Sequence, residues 1–378
     1  TRPDSKFFVF ADTVAAINYH RTIKGNGWLG IRFQLESDSE PNDFVLHCKM
    51  LDNDNQLQQS AIGILGVNML YACYNYYDDP DMFIKSLLDN LHGRVKVDMV
   101  RVSGPDFNHL DNRYASLLLV KHGLSDVAMF DENGASIHGS EFLYKKSLMV
   151  VRGNYRPPTL VSLDVIKSSF EQFKSELDVD TNRAHVMAEL TLDNLKINGE
   201  IDQKDFLDRA DLLCALGQQV IISDCNNHQA LINYLSDFKI RKLGLVIGVH
   251  ELLDIINDKY YKNQDGRLLV AFGELFTRNI KIYAYPVLQE NSNELLTAST
   301  LPVPDGIKFL HQYLMENQHI EEVVNYNEDL LHIFPWKVLE LIQRGDEQWE
   351  RMVPTKLVEL IKHKEMFGYP TNKLEFEV

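Results

Sequence analysis

From about residue 160 onward the chain alternates regularly between two kinds of segment. One kind is short and almost wholly apolar: "AHVMAELTL", "QQVIISD", "KLGLVIGV" and "IKIYAYPV". The other is longer and amphipathic: "LDVIKSSFEQFKSEL", "KDFLDRADLLCALG", "NHQALINYLSDF", "ELLDIINDKYY" and "LLVAFGELFTRN". A strand that is apolar at consecutive positions has no solvent face, so it belongs in a parallel sheet covered by helices on both sides. Right-handed crossovers then line up the carboxyl ends of such strands along one edge. That edge is where an open α/β sheet holds its ligands. The expected fold is α/β, mainly a parallel sheet with flanking helices. About eight strands can be counted over the whole chain, which keeps a (β/α)8-like barrel as the alternative.

The first part of the chain has a different pattern. "FFVFAD" reads as a strand, and "WLGIRFQL" and "DFVLHCKML" alternate in polarity on either side of a Ser/Pro/Asp-rich connection, which predicts a hairpin. "DNQLQQSAIGILGVNMLYACYNYY" reads as a helix, and "PDMFIKSLLDNL" opens another with Pro80 at its start. "VKVDMVRVSGP", "HLDNRYASLLLVKHGL" and "DVAMFDENG" read together as one strand–helix–strand unit. The polar stretch from Leu288 to Gly306 reads as a linker, and only helices are expected after it. These patterns divide the chain into a mixed α/β segment, 1–158, a parallel-sheet segment, 159–290, and a linker with a helical tail, 291–378.

Net charge narrows the partners. At −16, with a pI of about 5.2, the chain lacks the positive field that nucleic acid or an anionic membrane surface demands. The longest apolar run, Ala61 to Tyr74, is too short to cross a bilayer. It reads as a buried helix in which Gly63 and Gly66 permit close packing. Cys48, Cys73, Cys214 and Cys225 form no CxxC pair and read as reduced thiols, which suits a cytoplasmic protein. The opening "TRPDSKFFVF" has neither the basic region nor the apolar core of a signal peptide, and it lacks an initiator Met, so a trimmed chain is expected.

Candidate site residues gather where strands end. In "VIISDCNNHQALINYL", Ser223, Asp224 and His228 follow a strand directly, with Asn226 or Asn227 as helix caps. Glu189 stands inside the apolar strand of "AELTLDNL", near Thr191 and Asn194. A buried carboxylate needs a partner or a proton. Arg209 and Arg183 are the expected ion-pair partners, and a general acid or base with raised pKa is the other reading. "MVVRGNYRPPT" sets Arg152 and Arg156 on a short loop after a strand, suited to a phosphate or carboxylate. His250 opens "HELLD", but Asp254 stands where HExxH needs its second His, so no metal site is expected. "GNGWLG" and "FDENGAS" fall short of a dinucleotide loop and of a phosphotransferase loop, and read as turns.

Several stretches together resemble a family of bacterial proteins of uncharacterised activity: "FADTVAAINY", "QQSAIGILGVNMLYA", "YKKSLMVVRGNYRP", "ELTLDNL", "GLVIGVHELLDIINDKYY", "IKIYAYP" and "GDEQWERMVPTKLVELIKHKEMFGY". The resemblance runs over essentially the whole chain. Members of that family carry labels that include nicotinate-nucleotide adenylyltransferase and TonB-dependent receptor. The second describes a transmembrane barrel, which a helix-rich α/β chain does not form. The first implies nucleotide binding. Its HxGH motif has no counterpart in "LHGR", "KHGL" or "IHGS", so the resemblance transfers no catalytic residue.

The expected function is that of a cytoplasmic bacterial enzyme acting on a small anionic, nucleotide-like metabolite. Glu189, Asp224 and His228 are its expected catalytic residues. Asp12, Arg152, Arg156, Asn194 and His250 are its expected ligand contacts. The sequence names no cofactor and leaves homo-oligomers open. The alternative is a non-catalytic scaffold or regulatory subunit that engages a protein through Trp336, Trp349, Met352, Met366, Phe367 and Tyr369 of the tail.

Overall fold

The alternating segments near the amino terminus pair as an antiparallel meander. The computed structural model describes residues 5–18, 20, 24–225, 227–256, 273, 279–289 and 294–370. Strands β1 (Phe8–Ala15), β2 (Asn26–Phe33), β3 (Asn42–Met50) and β4 (Val95–Ser103) form a four-stranded sheet in chain order. The expected hairpin is β2 with β3, antiparallel from Asn26–Lys49 to Phe33–Asn42. Leu29, Ile31 and Phe33 of β2 share a core with Phe44 and Leu46 of β3. Helix α1 (Asn55–Asn75) brings Ala61, Leu65, Met69 and Ala72 to that core at the three-to-four spacing of one helical face. Of the two glycines expected to permit close packing, Gly66 does so. A Cβ there would lie 3.1 Å from the Phe10 ring, whereas Gly63 faces open space.

Helix α2 (Pro80–Lys85) starts with Pro80 behind an Asp79 cap. Helix α3 (Asn112–Lys121) is stopped by Gly123, whose φ of 71° is a left-handed value that glycine adopts at little cost. Strand β5 (Val127–Phe130) does not join β4 in one strand–helix–strand unit; it belongs to the other sheet. The burial patterns explain the split. β4 buries mainly Val95, Val97, Val100 and Val102, as a strand covered on one face does, while β5 is buried at every position.

The continuously apolar strands build the second sheet. Helix α4 (Gly139–Phe142) precedes β6 (Ser147–Arg152), and α5 (Leu160–Lys174) connects it to β7 (Ala184–Thr191). Helix α6 (Leu192–Leu195), the small hairpin of β8 (Lys196–Ile197) with β9 (Glu200–Ile201), and α7 (Gln203–Ala215) lead to β10 (Gln219–Ser223). Helix α8 (His228–Ser236) follows, then β11 (Lys242–Gly248), α9 (Val249–Ile256) and β12 (Ile280–Tyr285). The rest of "ELLDIINDKYY" and most of "LLVAFGELFTRN" lie outside the described residues.

Three further short strands sit where none were expected. In the expected linker, β13 (Val287–Leu288) pairs with β14 (Leu295–Leu296). In the expected all-helical tail, β15 (Ile320–Glu322) runs parallel to β12. Segments of two or three residues are too short to show periodicity, and β15 exists because the edge of β12 offers unpaired backbone groups.

The seven main strands lie in the order β15-β12-β11-β6-β7-β10-β5. Pairs β6–β7, β6–β11, β11–β12 and β12–β15 are parallel. The sheet is open, so the barrel alternative falls. The protein is an α/β protein whose parallel sheet grows from β6 outward, first through β7 and β10, then back through β11, β12 and β15.

Residues 1–138 with 221–224 form one compact unit, and 139–220 with 225–378 form another. Ser147–Arg152 lies in the second unit and is the central strand of the seven-stranded sheet. The tail packs inside the second unit. Trp349, Ile342, Leu357 and Ile361 are fully buried, in one cluster with Leu212 of α7.

Candidate functional site

β6 and β11 are neighbours from which the chain proceeds in opposite directions across the sheet. Such a switch point leaves a crevice outside the carboxyl ends of its strands. The loop that leaves β6 there is Arg152 to Thr159. Register aligns Arg152 of β6 with Glu189 of β7. Their side chains form a fork: Arg152 Nε donates to Glu189 Oε2 at 2.8 Å and Nη2 to Oε1 at 3.0 Å. Nη2 also donates to the Cys225 carbonyl at 3.1 Å. Glu189 is fully buried and Arg152 is 10% exposed. The carboxylate expected to pair with Arg209 or Arg183 therefore pairs with Arg152, because parallel register sets the two side by side.

The loop is held in place by Tyr155. Its φ of 49° is left-handed, an unusual state for a bulky residue. Its ring packs so close over Gly153 that a Cβ there would meet ring carbons at 3.0 Å. Its hydroxyl donates to the Val151 carbonyl at 2.8 Å, hooking the loop back onto β6. Burial, then the charges of Glu189 and Glu251, push the Tyr155 phenol up and keep it protonated.

His228 opens α8, which is capped by Asn227: its side chain accepts from Ala230 N–H at 2.8 Å. The His228 Nδ1 is sealed from solvent and has no hydrogen-bond partner among the described residues. Burial, and then the nearby Arg152 charge, lower its pKa to about 3. The imidazole is therefore neutral at physiological pH. The structure thus brings together Arg152, Glu189 and His228 of the expected set. Tyr155 and Glu251 join them; the sequence offered no sign of either, since a left-handed φ and a long-range charge are not written in local pattern.

Arg156 and Asn194 fall in a second network. Arg156 Nε donates to Asp205 Oδ1 at 2.5 Å. The buried Arg209 binds the other Asp205 oxygen through Nε at 2.7 Å, and donates through Nη1 to Asn154 Oδ1 at 2.6 Å and to the Asn194 carbonyl at 2.7 Å. Asn194 thus contributes its backbone here. A cleft of about 570 Å³ borders this network, with Arg156 and Lys204 facing Asp202, Asp205 and Asp208. Burial raises the Asp208 carboxyl despite Lys204. His250 lies exposed at the start of α9. Asp12, exposed on β1, and Asp224, exposed after β10 with its N–H on the Asp126 carbonyl at 2.9 Å, belong to the first unit. Asp224 does not cap α8, and Asn226 lies outside the described residues.

The sequence reading also passed over His47, Asp98 and His138 of the first unit, which come together. The available signal was a polar side chain within each of two largely apolar strands, "DFVLHCKML" and "VKVDMVRVSGP".

These features define a doubly wound α/β protein with a buried charged cluster at the carboxyl edge of its sheet. No helix among the described residues is long and apolar enough to cross a membrane. No protein-family model matches the chain, and no curated protein matches it. Among solved structures it is similar to Plasmodium falciparum nicotinic acid mononucleotide adenylyltransferase complexed with APC. That similarity has a TM-score of 0.37 at 7% identity and covers 60% of this chain and 100% of that one.

Proposed function

We propose that the protein is a cytoplasmic bacterial enzyme that binds a small anionic, nucleotide-like metabolite at the carboxyl edge of the second unit's sheet. One observation carries this reading: His228, half-buried with its Nδ1 sealed from solvent and its imidazole neutral, feels the charge of the Arg152–Glu189 fork at the edge where doubly wound sheets hold ligands. Arg152 supplies positive charge toward an anionic group. Glu189 holds the guanidinium in place. With its pKa lowered to about 3 the His228 imidazole is a weak base, and its role toward a bound ligand is that of a neutral hydrogen-bonding group. The four cysteines are not joined in disulfides, which suits a reducing compartment.

The test is a melting series with phosphate, sulfate and a panel of nucleotides. A ligand at roughly a hundred times its Kd stabilises by about 2.7 kcal/mol, a rise on the order of 5 °C. The native protein should show that rise with at least one ligand, and a His228→Gln variant should lose it. Equal rises in both, or none in the native protein, would remove the site from this edge.

Asp224 and Asn227 separate by a companion measurement. Asn227→Ala removes the cap of α8 and should cost about 1 kcal/mol. Asp224→Asn, at an exposed position, should change stability by less than about 0.5 kcal/mol.

The scaffold alternative has less to work with. Trp349, Met366 and Phe367 are buried in the chain's own core, and of the three tryptophans only Trp336 in the tail presents a large exposed surface, at 55%.

A further inference from the structure

β3 and β4 do not pair evenly. His47 lies opposite Met99 and Cys48 opposite Val97, so Asp98 is the extra residue of a bulge. A bulge turns one side chain out of the regular alternation. Here it turns the Asp98 carboxylate to His47, whose Nδ1 lies 2.5 Å from Oδ1. Lys49 Nζ stands 3.3 Å from Oδ2. A third group arrives from outside the sheet. The chain leaves β5 through a tight turn, bridged from Phe130 to Ser136, and returns with His138. The His47 and His138 ring centroids are 4.0 Å apart, and Trp28 lies 4.9 Å from the first and 5.1 Å from the second. His47 is 3% exposed and Asp98 8%, while His138 is half-buried. One potential ligand atom from each of the three lies within 4.8 Å of the others.

We propose that His47, Asp98 and His138 form a binding site for a divalent transition metal, with zinc(II) as the best-suited ion. Two imidazoles and one carboxylate are the donor set such ions favour, while calcium and magnesium prefer all-oxygen sites. A tetrahedral zinc with bonds of about 2.0–2.2 Å spaces its ligand atoms by roughly 3.4 Å. Three atoms within 4.8 Å of one another reach that spacing by side-chain rotation, most readily at His138, which no strand of the sheet carries. The two ring centroids lie 4.0 Å apart with their planes tilted by 52°, close enough for one cation to be shared between them. Any proton on a ligating nitrogen or oxygen leaves to solvent as the metal binds. Lys49 stays on the far carboxylate oxygen and orients it, as outer partners of metal ligands do. Cys48 follows His47 in sequence but belongs to the apolar core with Phe44 and Leu46, apart from the three donors. Three protein ligands leave a position open for water or a substrate atom, the arrangement of catalytic rather than structural zinc.

The test uses the full chain, stripped of metal and titrated with cobalt(II) as a spectroscopic probe, then with zinc(II) in competition. One equivalent should bind, with the visible absorption of a four- or five-coordinate ion, and zinc should displace it. Lys49→Met should weaken binding by about 10–100-fold. His138→Gln should weaken it more, while metal-free melting stays near native. The native protein supplies a control independent of any variant's folding: zinc should move the imidazole ring resonances of both His47 and His138. Absence of saturable binding, equal affinity in the native protein and His138→Gln, or unmoved ring resonances would each overturn the site. The cluster would then be a hydrogen-bonded network of the sheet and nothing more.

Discussion

Replacing Arg152 by alanine is expected to destabilise the protein by about 3–5 kcal/mol, the usual cost of leaving one member of a buried ion pair behind. Glu189 is fully buried, and both of its oxygens accept from the Arg152 guanidinium. Without that partner a carboxylate must stay charged in an apolar strand or take up a proton. The Cys225 carbonyl loses a donor as well. At a few degrees per kcal/mol, the drop in melting temperature should be on the order of 10 °C. The double variant Arg152→Met with Glu189→Leu removes both charges and should recover most of the loss, since apolar side chains of similar volume replace buried ion pairs at little cost. Urea denaturation of the three proteins measures this. An Arg152→Ala protein within about 1 kcal/mol of native would show that the fork carries little of the stability of the sheet edge.

The second large effect is expected from the tail. Truncation after Pro304 should give insoluble protein or one melting more than about 10 °C lower. The reason is the number of interactions that cross that point. β15 covers the edge of β12. Leu160 N–H donates to the Met352 carbonyl at 2.9 Å, and Lys356 Nζ to the Ala215 carbonyl at 2.6 Å. Trp349, fully buried, fills the cluster that includes Leu212. Trp349→Ala alone should cost about 3–5 kcal/mol. Trp349→Phe should cost less, since the indole Nε1 is buried without a hydrogen-bond partner and phenylalanine forfeits volume only. A soluble truncation that melts like the native chain would overturn this and return the tail to the role of a partner-binding element.

Particular residues show how far the sequence could be read. Unbroken apolarity in "VIIS" or "KLGLVIG" demands cover on both faces, so the parallel sheet and its helices were legible. Glu189 was legible as a residue in need of a partner, because its cost in an apolar strand is independent of context. Which arginine answers it was not legible. Arg209 is spoken for by Asp205, and Arg152 is chosen by the register of β6 against β7. β15 was invisible because three residues carry no period, and the edge of β12 recruits them.

What the sequence by itself determined is the kind of layer each segment can occupy: covered strand, half-covered strand, amphipathic helix or capped turn. Burial of apolar surface depends on local pattern, and pattern is written in the chain. Only the tertiary structure decided which strands are neighbours and which polar groups meet. The return from β10 to β11 on the far side of β6 creates the switch point beside Arg152. The bulge at Asp98 brings it onto His47, 51 residues away in sequence. Those encounters depend on register and crossover, which arise from pairing between distant segments and leave no local mark in either one.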